Sequence, residues 1–161
     1  MPRIVVHLWF DNQAEEAARF YVSLFKNSRI KAVSRYPKSA EAVAGKSAGS
    51  VMTVAFELDG QEYIALNGGP QFKFNEAASL LVQCESQEEI DRLWARLLEG
   101  GGQEQACGWL KDKYGLSWQI SHVALEKLLY DADPAKVDRM MQAMFKMKKL
   151  DVAQLQQAAS K

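Results

Sequence analysis

Apolar side chains recur along this chain in two periods: every second position over short runs, and at three- and four-residue spacing over longer ones. The first marks strands, the second helices with one buried face. "IVVHLWF" (Ile4 to Phe10) is β-branched and aromatic, a strand. In "DNQAEEAARFYVSLF" the residues Ala14, Ala17, Ala18, Tyr21 and Phe25 fall on one helical face, with Asp11 or Asn12 as cap and Glu15 and Glu16 near the positive end of the helix dipole. "SRIKAVSRY" is a second strand. The small, polar, glycine-bearing stretch from Pro37 to Ser50 reads as a mobile surface loop. "VMTVAFELDGQEYIALNGG" gives two strands around Asp59-Gly60, a dipeptide suited to a tight hairpin turn.

The second half repeats the plan. "SLLVQCE" is a strand, and "SQEEIDRLWARLLEGGG" is a helix with Ser86 and Glu89 as a capping box and Gly100 to Gly102 as its end. Sliding Ala14 onto Ile90 also sets Ala17 on Leu93, Ala18 on Trp94 and Tyr21 on Leu97, a match of pattern rather than identity. "QEQACGWL" and "LSWQIS" follow as strands joined through "KDKYG", one strand fewer or shorter than in the first half. Two such units in one small protein indicate duplication. A unit with one helix covers one sheet face only, so the fold class expected is α+β: two βαβββ-type modules forming curved mixed sheets around a cleft, the default ligand site.

Beyond the second module Asp133 caps a helix with Pro134 in its first position and Val137, Met140, Met141, Met144 and Phe145 as its apolar stripe. Asp151 caps a short terminal helix prone to fraying. The expected organisation is a single domain over residues 1–122, made of modules 1–70 and 76–122, with a helical extension over 123–161.

Composition narrows the function classes. Of 161 residues, 48% are hydrophobic and 25% charged, the usage of one globular domain. Lys+Arg and Asp+Glu both count 20, so no global field attracts nucleic acid or an anionic membrane. No apolar run approaches the roughly 20 residues of a membrane span, and no signal-peptide pattern opens the sequence, so a cytoplasmic location is expected. Cys84 and Cys107 are too few for a zinc motif or disulfide framework and read as free thiols, Cys84 facing the helix and Cys107 nearer the cleft.

The segments "LWFDNQAEEAARFYVSLFKNSRI", "FELDGQEYIALNGGPQFKF", "CGWLKDKYGLSWQIS" and "MQAMFKMKKLDVAQLQ" resemble the PhnB-like branch of the vicinal oxygen chelate superfamily, the glyoxalase and bleomycin-resistance fold, over nearly the whole chain. The resemblance implies a homodimer, in which the tail helix covers a sheet or grips the second subunit. Members often carry the label 3-demethylubiquinone-9 3-methyltransferase. The sequence gives that label no support: the common methyltransferases need a glycine-rich loop after a first strand, whereas "NGGP" follows the fourth.

Metal enzymes of the superfamily hold a divalent ion with four side chains, one from the first and one from the last strand of each module. Carried over, these positions fall on Val5 or Val6, near Ala65, near Ser79, and on Gln119, of which only Gln119 can bind metal. No metal ligand set and no cofactor are therefore expected, although a histidine with three amides could hold a divalent ion weakly. Strand alternation instead lines the cleft with His7, Trp9, Asn67, Gln83, Trp109 and Gln119, a polar and aromatic binding constellation. Trp118 points away from Gln119 toward packing. His7 is the candidate general base, since its ordinary pKa suits that work. His122 and the turn Lys111, Asp112, Lys113 are expected in solvent, with Lys111 able to reach the cleft mouth. The function expected is a small-molecule-binding protein without an intact metal site. The alternative is a metal-dependent or His7-assisted enzyme of the lyase, isomerase or dioxygenase classes; the residues alone assign no reaction.

Overall fold

The first strand begins two residues later than its apolar run suggests, at Val6, where pairing begins. The computed structural model describes all 161 residues. Contacts divide the chain into two units, Met1–Lys73 and Phe74–Lys161.

The first unit runs β1 (Val6–Phe10), α1 (Ala14–Val22), β2 (Arg29–Arg35), a tight 3-10 turn at Lys38–Ala40 leading into α2 (Glu41–Ala44), β3 (Val51–Leu58) and β4 (Gln61–Asn67). Its sheet has the order β1-β4-β3-β2, with β1 parallel to β4 and the other pairs antiparallel. The face of α1 is fully buried at Ala14, Ala17, Ala18 and Tyr21. Three alanines let the helix lie close to the sheet, where Tyr21 meets Phe56 with ring centroids 6.4 Å apart. Asp59 and Gly60 both have positive φ, and Leu58 pairs with Gln61, the geometry of a two-residue hairpin turn.

Two expectations fail here. Neither Asp11 nor Asn12 caps α1; the carboxamide of Asn67, at the end of the neighbouring strand, accepts from the Ala14 N–H at 2.8 Å. The stretch 37–50 carries structure of its own. Tyr36 N–H donates to Ser50 O, Gly49 N–H to Tyr36 O, and Arg35 to Gly49 O, which tie the ends of the loop together.

The second unit runs β5 (Leu80–Cys84), α3 (Gln87–Leu98), β6 (Gln103–Glu104), β7 (Trp109–Lys111), β8 (Ser117–His122), α4 (Val123–Leu129), α5 (Pro134–Met144) and α6 (Val152–Ala159). Its sheet order, β5-β8-β7-β6, repeats that of the first unit strand for strand, again with the first strand parallel to the last. The duplication read from the helices thus extends to the sheets. Ser86 caps α3 by accepting from Glu89 N–H, while the Glu89 carboxylate accepts from Glu85 N–H, a capping box displaced by one residue. Ile90, Leu93, Trp94 and Leu97 are the buried face of α3, each contributing about 1.5–3 kcal/mol by leaving water. The expected strand "QEQACGWL" is split into β6 and β7 by a turn in which Cys107 and Gly108 both take positive φ.

The extension supplies a small core of its own. Leu125, Met140, Met144, Leu150, Leu155 and Ala159 are buried together, with Cys107, Met141 and Met147 packed against them. Asp133 and Asp151 cap α5 and α6 as expected. Phe145 leaves the stripe because α5 ends one residue before it; it is 64% exposed. The methionine stripe is thus spent inside its own unit. α4, which sequence reading omitted, provides the Leu125 that the cluster closes around. No helix is long and apolar enough to cross a membrane.

Candidate functional site

Each sheet has one face covered by its helix and one that is not, and strand register decides which residues share the open side. In the first unit β1 and β4 run in parallel register, His7 opposite Ile64, Leu8 opposite Ala65, Trp9 opposite Leu66 and Phe10 opposite Asn67. Leu8, Phe10, Ala65 and Asn67 are buried toward α1, so His7, Trp9, Ile64 and Leu66 form the open face. Asn67 therefore does not share a face with His7, contrary to the sequence reading. Its side chain is committed: Oδ1 caps α1, Nδ2 donates to Val51 O at 3.1 Å, and its main-chain oxygen accepts from the Tyr36 hydroxyl at 2.6 Å. The last-strand position carried over from the superfamily moves from Ala65 to its open-face neighbours Ile64 and Leu66, which are also aliphatic.

His7 is exposed and makes no hydrogen bond that would fix its tautomer. Trp9 is half-buried and well held. Its indole N–H donates to Gly69 O at 2.9 Å, and its ring meets Phe72 edge to face, centroids 4.9 Å apart at 81°. One side of the indole rests on Gly68, where a Cβ would fall 2.3 Å from the ring. This is why "NGGP" carries glycine there: it is the backing of Trp9. Phe72 was missed by sequence reading because it follows a turn and shows no strand alternation.

At the hairpin end of the same face Glu57 and Glu62 are cross-strand partners. Lys31 bridges them, at 3.2 Å from Glu57 and in shorter contact with Glu62; Arg29 pairs with Glu57 at 3.0 Å and Arg3 with Glu62 at 2.7 Å. Hydrogen bonds from Lys31 hold both carboxyls below the ordinary carboxylate value, and the two carboxylates hold Lys31 above the ordinary lysine value. The carboxylate pair is thus already neutralised by side-chain cations.

In the second unit Leu81 lies opposite Gln119 and Gln83 opposite Ser121 on β5 and β8, while Trp109 lies opposite Gln119 across β7. Leu110, Trp118 and Ile120 are buried toward α3. Gln83, Trp109 and Gln119 accordingly share the open face, as their spacing predicts. Gln119 Nε2 donates to Ser79 Oγ at 2.9 Å, which joins the two positions where the superfamily resemblance sets the second module's metal ligands. The indole N–H groups of Trp9, Trp94 and Trp118 bond Gly69 O, Glu104 and Asp112 respectively; that of Trp109 has no partner.

Four further expectations change. Asp112 is buried, not solvated. Its Oδ1 accepts from Tyr114 N–H at 2.8 Å and Leu116 N–H at 3.1 Å, and its Oδ2 from the Trp118 indole at 2.9 Å, so the "DKYG" turn is built around a carboxylate. Lys111 pairs with Glu76 at 2.5 Å. His122 is half-buried and caps α4, its Nδ1 accepting from Ala124 N–H at 3.0 Å. Cys107 packs against the helical extension rather than near the open face, and its N–H donates to Met147 O. Cys84 faces α3 as expected; burial, with Glu89 nearby, pushes its thiol up to about 11. No three His, Cys, Asp or Glu side chains converge as a metal-binding group.

Two βαβββ units of identical sheet order, each open on one face, make this an α+β protein of the glyoxalase and bleomycin-resistance type. The chain belongs to the family described as 3-demethylubiquinone-9 3-methyltransferase, the PhnB-like branch of the vicinal oxygen chelate superfamily, whose profile matches residues 2–121. The PhnB protein of Bacillus cereus is 36% identical, with 76% of this chain and 100% of that one covered and a TM-score of 0.66. Protein PA1353 of Pseudomonas aeruginosa, 19% identical over 76% of this chain and 98% of its own with a TM-score of 0.59, shares the fold. The fosfomycin resistance protein FosX of Listeria monocytogenes matches at 15% identity and a TM-score of 0.48, over 81% of this chain and 98% of its own. No curated protein matches the chain.

Proposed function

We propose that this is a small-molecule-binding protein that contacts its ligand through the open sheet faces, without a divalent metal. The observation that carries the reading is in the second unit. Trp109, half-buried with an unbonded indole N–H, stands in register beside Gln119, whose Nε2 is anchored on Ser79 while its carbonyl oxygen stays unbonded. An aromatic plane with a donor, next to an oriented acceptor and the exposed amide of Gln83, suits recognition by stacking and hydrogen bonding.

The donor set does not fit a divalent ion. The superfamily's ligand positions on the open faces hold Val5, Ile64 or Leu66, Ser79 and Gln119. Amide and hydroxyl oxygens with no carboxylate would leave the ion's charge uncompensated. His7 lacks an orienting partner, so nothing favours the His-assisted enzyme. For methyl transfer, which the family description names, the glycine pair offers no cofactor cradle, since Gly68 and Gly69 serve Trp9.

Native mass spectrometry tests the proposal. Full-length protein equilibrated with a small-molecule extract is expected to retain an adduct that Trp109→Ala with Gln119→Leu abolishes. An adduct undiminished in that double variant, or stoichiometric metal in protein purified without chelators, would overturn it. Homodimerisation belongs to the same proposal. It draws on the exposed Leu129, Tyr130 and Phe145 of the C-terminal segment and is measured by light scattering; a monomer at micromolar concentration would refute it.

A further inference from the structure

Three lysines of this protein are half-buried: Lys46, Lys111 and Lys136. Two of them have carboxylate partners, Lys111 with Glu76 and Lys136 with Asp131. Lys46 has none. Its ammonium donates only to the main-chain oxygen of Asp11, at 3.3 Å, an acceptor already taken by the Gly69 N–H. A part-desolvated cation held by one long bond to a shared neutral acceptor is left with donor capacity and uncompensated charge.

Its place in the fold is what gives this meaning. The Lys46 Nζ lies 3.8 Å from where a Cβ on Gly69 would stand. Gly69 is the residue whose carbonyl holds the Trp9 indole, and Phe72 meets that indole edge to face. The cation therefore borders the aromatic corner of the first unit's open face. It is also held there by a built loop. Gly45 takes φ +61° to end α2 and turn the chain into Lys46, and the Glu41 carboxylate accepts from Ala48 N–H on the far side. The backbone at Lys46 is thus tied on both sides.

We propose that Lys46 is the anion-recognition residue of this face, and that the ligand class it selects is a planar conjugated carboxylate, its ring on Trp9 and Phe72 and its carboxylate on the Lys46 ammonium. This rests on the reading that the open faces contact a small molecule, and it adds the charge and shape of what binds. The indole supplies a flat apolar surface backed by Gly68, and Phe72 supplies a wall at nearly a right angle. Together they fit a ring better than a branched aliphatic group. A carboxylate would replace a shared carbonyl as the partner of Lys46 and form a charge-assisted hydrogen bond.

The test uses the full chain and two isosteric probes, 2-naphthoate and its neutral analogue 2-naphthamide, titrated by tryptophan fluorescence and calorimetry. The wild type is expected to prefer naphthoate by about tenfold, the scale of one charge-assisted bond at a part-buried site. Lys46→Met should erase the preference and leave naphthamide affinity unchanged, Lys46→Arg should keep it, and Trp9→Leu should weaken both probes. Unfolding midpoints of the Lys46 variants should match wild type, since the side chain makes a single bond. If Lys46→Met keeps the tenfold preference while Trp9→Leu still weakens both probes, the role of Lys46 is refuted and the open-face reading stands. If the wild type binds neither probe below millimolar concentration, or Trp9→Leu changes nothing, the aromatic corner is no ring site and the inference falls. The adduct experiment on Trp109 and Gln119 then decides the open-face reading independently.

Discussion

Replacing Asn67 by leucine separates a structural role from a binding role at the residue where the strand pattern and the register disagree. The side chain closes one buried and one part-buried bond, accepting from Ala14 N–H at 2.8 Å and donating to Val51 O at 3.1 Å. Loss of a helix cap costs about 1–2 kcal/mol, and a backbone group left unsatisfied in a buried place adds about 1–3 kcal/mol. Leucine is close in volume, so no large cavity offsets or enlarges the figure. A total of roughly 2–5 kcal/mol follows, which for a chain of this size lowers the melting midpoint by about 4–20 °C. Urea titration and calorimetry read the loss directly, and α1 should show faster amide exchange at its first turn than α3 does. In the fraction that remains folded, probe and ligand binding should equal wild type, because Asn67 faces α1. A variant with wild-type stability and lost binding would refute this, and would return Asn67 to the open face of its sheet.

Asp112→Ala should cost about 3 kcal/mol or more, since three hydrogen bonds to one carboxylate go together, that of the buried Trp118 indole among them; a denaturation midpoint within error of wild type would contradict it. Gly68→Ala sets a methyl into the Trp9 ring, so it should destabilise by about 1–3 kcal/mol and shift the tryptophan emission, whereas unchanged fluorescence would show the ring to be less confined. Glu57 and Glu62 have folded pKa values below the ordinary 4.5, so their stabilisation is present above that value and is lost as pH falls through the folded values. Lys31 is raised above 10.5, so its share is complete below that pH and is lost as pH rises through the folded value. Lys31→Met should therefore flatten both limbs of a stability-against-pH curve, and steep limbs in the variant would argue against the network. Iodoacetamide at pH 8 should alkylate Cys107 in the native protein well before Cys84, whose thiol titrates near 11; equal rates by mass spectrometry would disprove this.

Elements were legible wherever one face of the pattern was clearly apolar. The faces of α1 and α3, the Asp59-Gly60 hairpin and the caps Ser86, Asp133 and Asp151 all follow from spacing and local chemistry. Three things were not, each for a physical reason. In "QEYIALN" both alternating sets are apolar, Tyr63 with Ala65 and Ile64 with Leu66, so hydrophobicity could not say which set meets α1. The close approach of an alanine-faced helix decides it, placing the small Ala65 beneath that helix and Asn67 with it. Asp112 reads as a solvated turn residue because composition marks turns without showing that a side chain can fold back inside one. α4 follows β8 with no glycine or proline between them, so no boundary was visible where His122 serves as both last strand residue and cap.

Equivalence of the two units sharpens what the open faces hold. Matching β1 with β5 and β4 with β8 through their parallel pairs sets His7 and Trp9 on Leu81 and Gln83, and Ile64 and Leu66 on Gln119 and Ser121. Polarity is distributed differently in the two copies: in the first unit the histidine lies on the edge strand and the inner strand is aliphatic, while in the second both strands carry polar groups, Gln83 on the edge and Gln119 and Ser121 on the inner strand. A metal cage needs donor side chains on both the first and last strand of each module. At those positions the first module has aliphatic residues on both strands and the second a hydroxyl and an amide, so no single substitution restores the set. Introducing a carboxylate as Gln119→Glu should accordingly leave divalent-metal affinity, measured by calorimetry with manganese, no tighter than millimolar. Micromolar binding would show that the remaining ligands are present after all, and that the metal-free reading is mistaken.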